Sequence, residues 1–88
     1  MKQIFKYEIK PTDRQEIELP IGSEILTIQT QFDTPFLWAM VHSDEDVQKE
    51  KRTIRLFATG EEVDCIGTYI NTFQLHGGSL VFHAYEIR

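Results

Sequence analysis

Cysteine is nearly missing from this chain: Cys65 is the single one among 88 residues. One cysteine excludes an internal disulfide and a thiolate metal cluster, and this usage fits a reducing cytosol. Long apolar runs are missing too. No segment approaches the roughly 20 residues of a membrane-spanning helix, and no apolar h-region opens the sequence. Basic side chains are scarce, 9 against 14 acidic ones, for a net charge of -5. Binding to long nucleic acid needs clustered Lys and Arg to neutralise phosphates, so this balance argues against it. A small anionic ligand is compatible with it where a few cations converge. The three histidines, His42, His76 and His83, lack metal-site spacing. Neither a Gly-x-Ser-x-Gly elbow nor a phosphate-binding loop occurs. We therefore expect no enzyme, no cofactor and no metal. The acidic stretches Asp44-Glu45-Asp46 and Glu61-Glu62 with Asp64 read most simply as solvated loops.

What is present is globular: 41% hydrophobic and 26% charged residues. The length suits one domain over residues 1–88. Alternating segments recur along it. Gln3 to Ile9, Gln15 to Leu19, Glu24 to Gln31, Phe36 to Val41, Lys51 to Thr59, Cys65 to Leu75 and Ser79 to Arg88 each read as a strand. Turn chemistry separates them at Pro11-Thr12-Asp13, Pro20-Ile21-Gly22-Ser23, Phe32-Asp33-Thr34-Pro35, Gly60-Glu61-Glu62 and His76-Gly77-Gly78. Ser43 to Glu50 reads as a polar loop, in which Ser43-Asp44-Glu45-Asp46 could cap a short helical turn. The expected class is all-β: a small antiparallel sandwich or barrel of about seven strands. Alternation assigns Leu26, Ile28, Leu37, Ala39, Val41, Ile54, Leu56, Leu80 and Phe82 to the core.

Phe36 to Val41 has two apolar faces. Leu37, Ala39 and Val41 point one way, and Phe36, Trp38 and Met40 the other. A small domain has one core, so the second face needs other cover: a second sheet, another copy of the chain or a ligand. Pairing with the next strand would set Phe36, Trp38 and Met40 beside Arg55, Phe57 and Thr59. Aromatics beside an Arg and a hydroxyl can stack a base and bind a phosphate. Trp, Phe, Met and Arg are equally the residues enriched in oligomer interfaces, and ligands often bind between subunits. The candidates are Trp38 and Tyr69 for stacking, Arg52 and Arg55 for phosphate, and Thr59 and Thr68 for hydrogen bonds. Arg52 and Arg55 lie on opposite faces of their own strand, so only one reaches a given ligand, and Arg55 is favoured. A salt bridge for Arg55 and a core position for Tyr69 are the plainer readings. His83, in mid-strand, reads as a hydrogen-bonded structural residue, and His76 as exposed.

Five segments in order carry a family resemblance: Ile4-Phe5-Lys6-Tyr7-Glu8, Phe36-Leu37-Trp38-Ala39-Met40-Val41, Arg52-Thr53-Ile54-Arg55-Leu56-Phe57-Ala58-Thr59-Gly60, Ile66-Gly67-Thr68-Tyr69 and Gly77-Gly78-Ser79-Leu80-Val81-Phe82-His83. The chain resembles a family of short phage proteins of unassigned function, and is similar to the anti-CBASS cyclic-nucleotide sponges. That resemblance implies binding and sequestration of a cyclic nucleotide immune signal, without cleavage, in the host cytoplasm. It implies a homo-oligomer too, here through Phe36, Trp38 and Met40, because a symmetric interface matches a nearly two-fold ligand. The alternative is a protein-binding module that inhibits a host protein or decorates a virion.

Overall fold

The computed structural model describes all residues except Ser43, Glu45, Asp46, Cys65, Ile66 and Arg88. Seven strands account for most of it: β1 (Lys2–Glu8), β2 (Arg14–Pro20), β3 (Glu24–Gln31), β4 (Thr34–His42), β5 (Lys49–Ala58), β6 (Gly67–Leu75) and β7 (Leu80–Ile87). They form two antiparallel sheets. Sheet I has the order β1-β4-β3, and sheet II the order β2-β5-β7-β6. The sheets face each other as an open sandwich and do not close into a barrel. Strand β5 begins two residues earlier than the alternation implied, at Lys49, and the loop before it is shorter accordingly. Cys65 and most of the turn expected over 43–46 lie outside the described residues.

The core fills the space between the sheets. Leu37, Ala39 and Val41 of β4 and Ile28 of β3 meet Ile54, Leu56, Phe73, Leu75 and Ala84 from sheet II, with Ile9 and Leu19 at the margin. Each large side chain so buried stabilises the fold by about 1.5–3 kcal/mol. Two assigned core residues behave differently. Leu26 is only half-buried, because a bulge between Ile25 and Thr27 shifts the alternation by one. Ile25 and Ile28, rather than Leu26, share the inward face. Leu80 starts β7 beside the turn and is 42% exposed. Phe82 packs against the core as expected, partly buried.

Polar side chains close the sandwich at its rims. The Asn71 amide of β6 reaches across to β3. Its Oδ1 accepts from the Ile28 N–H at 2.7 Å, and its Nδ2 donates to the Ile28 carbonyl at 2.6 Å. Gln15 of β2 does the same for Lys10 just beyond β1, accepting from its N–H at 3.0 Å and donating to its carbonyl at 2.6 Å. Each amide stands in for a missing strand neighbour and satisfies backbone groups that sheet pairing leaves over.

The expected pairing of β4 with β5 does not occur. β1 and β3 occupy both edges of β4, while β5 lies in the other sheet between β2 and β7. The chain crosses between layers after His42 instead of turning back in a hairpin. Trp38 alternates with buried Leu37 and Ala39, and Arg55 with buried Ile54 and Leu56. The two therefore point out from opposite layers of the molecule. Phe36, Trp38 and Met40 remain half-buried on the outer face of sheet I, flanked in register by Lys6, Ile4, Thr27 and Gln29. The Lys6 ammonium lies 4.5 Å from the Phe36 ring centre and 5.8 Å from that of Trp38. It also donates to Gln31 Oε1 at 2.6 Å, so a long cationic side chain covers part of this stripe.

Candidate functional site

The outer face of sheet II gathers the densest set of chemically capable side chains. Register sets Arg55 of β5 opposite Tyr85 of β7, and Phe57 opposite His83. On the other side of β7, Tyr69 faces Tyr85 and Thr72 faces His83. Tyr69 and Thr72 are three residues apart, and strict alternation would send them to opposite faces. A bulge between Tyr69 and Asn71 restores them to one face.

Two features run across this face. The first is aromatic. Phe57, Tyr85 and Tyr69 form a row of edge-on contacts with centroids 5.7 and 5.4 Å apart. Phe57 is buried outside the main core, beneath the Arg55 guanidinium at 4.7 Å, whereas Tyr69 is half exposed. The second is a hydrogen-bonded chain. Thr59 Oγ1 meets His83 Nε2 at 2.8 Å, His83 Nδ1 meets Thr72 Oγ1 at 2.8 Å, and Thr72 Oγ1 meets the Tyr69 hydroxyl at 2.6 Å. Each His83 ring nitrogen can donate or accept, so its tautomer decides which of Thr59 and Thr72 donates to it.

Arg55 is the cation beside the aromatic row, and Arg14 of β2 lies opposite it in register on the same face. Asp13 and Asp64 each approach Arg55 at 3.5 Å, but both are largely exposed. Such loose, solvated pairs contribute little. Among the described residues the buried Arg55 Nε has no hydrogen-bond partner. The salt-bridge reading of Arg55 thus holds in its weak form.

The six sequence candidates separate into three places. Arg55, Thr59 and Tyr69 share the outer face of sheet II. Arg52 and Thr68, with Tyr69 at the border, line a cleft of about 490 Å³ together with Ser23, Leu26 and Glu86. Trp38 is on the far layer. Arg52 is committed internally: its Nε and Nη2 donate to the two carboxylate oxygens of Glu86, and its Nη1 donates to the Ser23 carbonyl at 2.9 Å. The Glu86 hydrogen bonds raise its pKa further and hold it charged. Tyr69 is not a core residue; its exposure and its bond to Thr72 place it at the surface. His83 is hydrogen-bonded as expected. His76 is exposed and pairs through Nδ1 with Asp33 at 3.0 Å.

Sequence reasoning missed Tyr85 and Thr72, and left the partners of His83 unnamed. The signal was present in β7, where His83 and Tyr85 alternate with buried Ala84 after the Gly77-Gly78 hairpin. Among the described residues, no group of three or more His, Cys, Asp or Glu is arranged to hold a metal ion. None of the described helices is long and apolar enough to cross a membrane.

Neither a curated protein nor a solved structure matches the chain. One family model does, across residues 1–88, and the chain belongs to that family, described as "Domain of unknown function (DUF7352)".

Proposed function

We propose that the protein is a phage-encoded, oligomeric sponge that binds a cyclic (di)nucleotide immune signal in the host cytoplasm and sequesters it without cleavage. The observation that supports this most directly is the outer face of sheet II: Arg55 with Arg14 opposite it, an exposed Tyr in an aromatic row, and hydroxyl and imidazole groups linked in one chain. Tyr69 offers a ring for a base, Arg55 a fork for a phosphodiester, and Thr59 and Thr72 hydrogen bonds to a base edge. Arg52 already donates to Glu86 and to the Ser23 carbonyl, so Arg55 is the preferred phosphate contact. Trp38 reaches such a ligand only from a second copy, so the Phe36, Trp38 and Met40 stripe is assigned to contacts between copies. Large apolar patches on isolated soluble chains are uncommon.

Titration calorimetry against cyclic dinucleotides and cyclic ADP-ribose isomers tests the reading. The wild type is expected to release heat with one of them and to return it intact after heating. Arg55→Ala is expected to weaken that binding by about tenfold or more, the scale of a lost charge-assisted bond. Recovery of cleaved ligand indicates an enzyme, and absence of heat with every ligand sinks the sponge.

One observation favours the alternative, a protein-binding module. Phe32 is 97% exposed at the tip of the β3–β4 hairpin, and both it and Asp33 have positive φ. Bulky residues rarely hold that conformation. The tip is braced by Asp33 Oδ1, which accepts from the His76 N–H at 2.6 Å. A rigidly presented aromatic suits an anchor in a partner's pocket. Retained ligand binding by Phe32→Ser, with loss of capture of a host protein, would separate the two readings.

A further inference from the structure

β1 is an edge strand with one side unused. It pairs with β4 alone, and among the described residues no backbone bond reaches its other side. The bond from the Ile9 N–H to the Pro35 carbonyl, at 3.1 Å, fixes its parity. In the same register Tyr7 faces Leu37 and Phe5 faces Ala39, so the odd-numbered residues turn their backbone groups toward β4. Lys2, Ile4, Lys6 and Glu8 therefore turn theirs outward. Exposed apolar side chains flank this open edge on both faces. Ile4 is 57% exposed on the outer face, and Phe5 is 46% exposed on the inner one. Phe5 and Tyr7 there overhang a cleft of about 440 Å³, which Pro20, Val41 and Val47 also line.

We propose that β1 pairs antiparallel with β1 of a second copy about a two-fold axis at Phe5, joining two three-stranded sheets into one of six strands. An edge strand with free backbone groups is a ready template for such pairing. Charge selects the register. Centred on Phe5, all seven residues pair, Lys2 faces the second copy's Glu8, and Ile4 faces its Lys6. Centred on Ile4, Lys2 faces Lys6. Centred on Lys6, that lysine faces itself. Both of those put like charges opposite each other, which destabilises a strand pair. Registers shifted further shorten the overlap. The Phe5-centred register also satisfies the parity, because its bonded pairs are all even-numbered. It lays the two Phe5 rings together across the axis, at the mouths of the two clefts. The two Phe36, Trp38 and Met40 stripes then lie on one continuous face, separated by three strand spacings of about 4.8 Å each.

Sedimentation equilibrium of the ligand-free protein tests this independently of any nucleotide. The wild type is expected to be a dimer, or a multiple of that dimer where the Phe36, Trp38 and Met40 stripes also meet. Lys2→Glu turns two attractive pairs per dimer into repulsive ones, and is expected to weaken the dimer about tenfold. Combining Lys2→Glu with Glu8→Lys restores the pairs and is expected to restore the dimer. Both positions are exposed, so the fold tolerates these changes. Lys51→Glu, on sheet II, makes the same change in net charge and is expected to leave the dimer unchanged. In a Cys65→Ser background, Phe5→Cys is expected to cross-link under mild oxidation, since a non-bonded antiparallel pair brings Cα atoms to about 4.5 Å. Lys6→Cys, offset diagonally from its symmetry mate, is expected not to. A monomer at high micromolar concentration, a dimer insensitive to Lys2→Glu, or equal cross-linking by Lys6→Cys overturns the proposal.

Discussion

Replacing Asn71 with alanine should reveal how much of the sandwich depends on one side-chain amide. Asn71 satisfies both backbone groups of Ile28, a residue with no solvent exposure at the seam between β3 and β6. Removing the amide leaves an N–H and a carbonyl without their partner. A buried group so stranded costs about 1–3 kcal/mol, and some water access at the rim favours the lower half of that range. The expected loss for the two is about 2–4 kcal/mol. Domains of this kind are stable by only about 5–15 kcal/mol in total. A domain of this size loses about 4–8 °C of Tm per kcal/mol, so the melt should fall by about 8–32 °C. Urea denaturation followed by Trp38 fluorescence supplies the free energy. Gln29→Ala, at an exposed position nearby on β3, should stay within about 0.5 kcal/mol of wild type. Asn71→Asp sharpens the test. It keeps an acceptor for the Ile28 N–H but sets a carboxylate against the Ile28 carbonyl. At neutral pH it should be at least as damaging as alanine. Below about pH 4 the protonated acid can donate to that carbonyl, so part of the loss should return. An Asn71→Ala protein within about 0.5 kcal/mol of wild type would refute the reasoning and leave apolar packing as the sole tie at that seam.

Two further outcomes are expected. A Cβ at Gly67 would overlap the Glu86 carbonyl oxygen, a backbone atom of β7 that cannot easily yield, so Gly67→Ala should lower stability by about 1–3 kcal/mol; an unchanged urea midpoint would contradict this. Burial raises the Tyr7 phenol above its ordinary pKa of 10.0. A raised folded-state value means that its stabilising contribution is whole below about pH 10 and is lost as pH climbs through the folded value. Tyr7→Phe should therefore remove part of the alkaline fall in unfolding free energy, read as the difference between wild type and variant at about pH 8 and about pH 11. Parallel curves for the two proteins would show that Tyr7 does not titrate differently on folding.

Local alternation was enough to establish the all-β class and the existence of each strand, because side-chain direction within a strand has a period of two whatever lies beside it. It also oriented β4, whose Leu37, Ala39 and Val41 are buried as expected. Gly77-Gly78 marked the β6–β7 hairpin, since both glycines take positive φ there. The sequence carried less about phase. The bulges at Leu26 and Ile70 each shift the alternation by one residue, which turned Leu26 from the core and brought Tyr69 onto the face of Thr72 and His83.

Beyond the β3–β4 and β6–β7 hairpins, which strand lies beside which was decided by the tertiary structure. Neighbours in sequence are frequent neighbours in space, and by that rule β4 should have met β5. Two edges of β4 were instead taken by β1 and β3, and the chain crossed to the other layer. That single step separated Trp38 from Arg55, bound Arg52 to Glu86, and left Arg55, Tyr69, Thr59 and His83 together. The amino-acid sequence by itself determined the strands and the chemistry that each carries. Long-range pairing, which depends on loop closure and on burial of the whole core, determined which of those side chains share a surface.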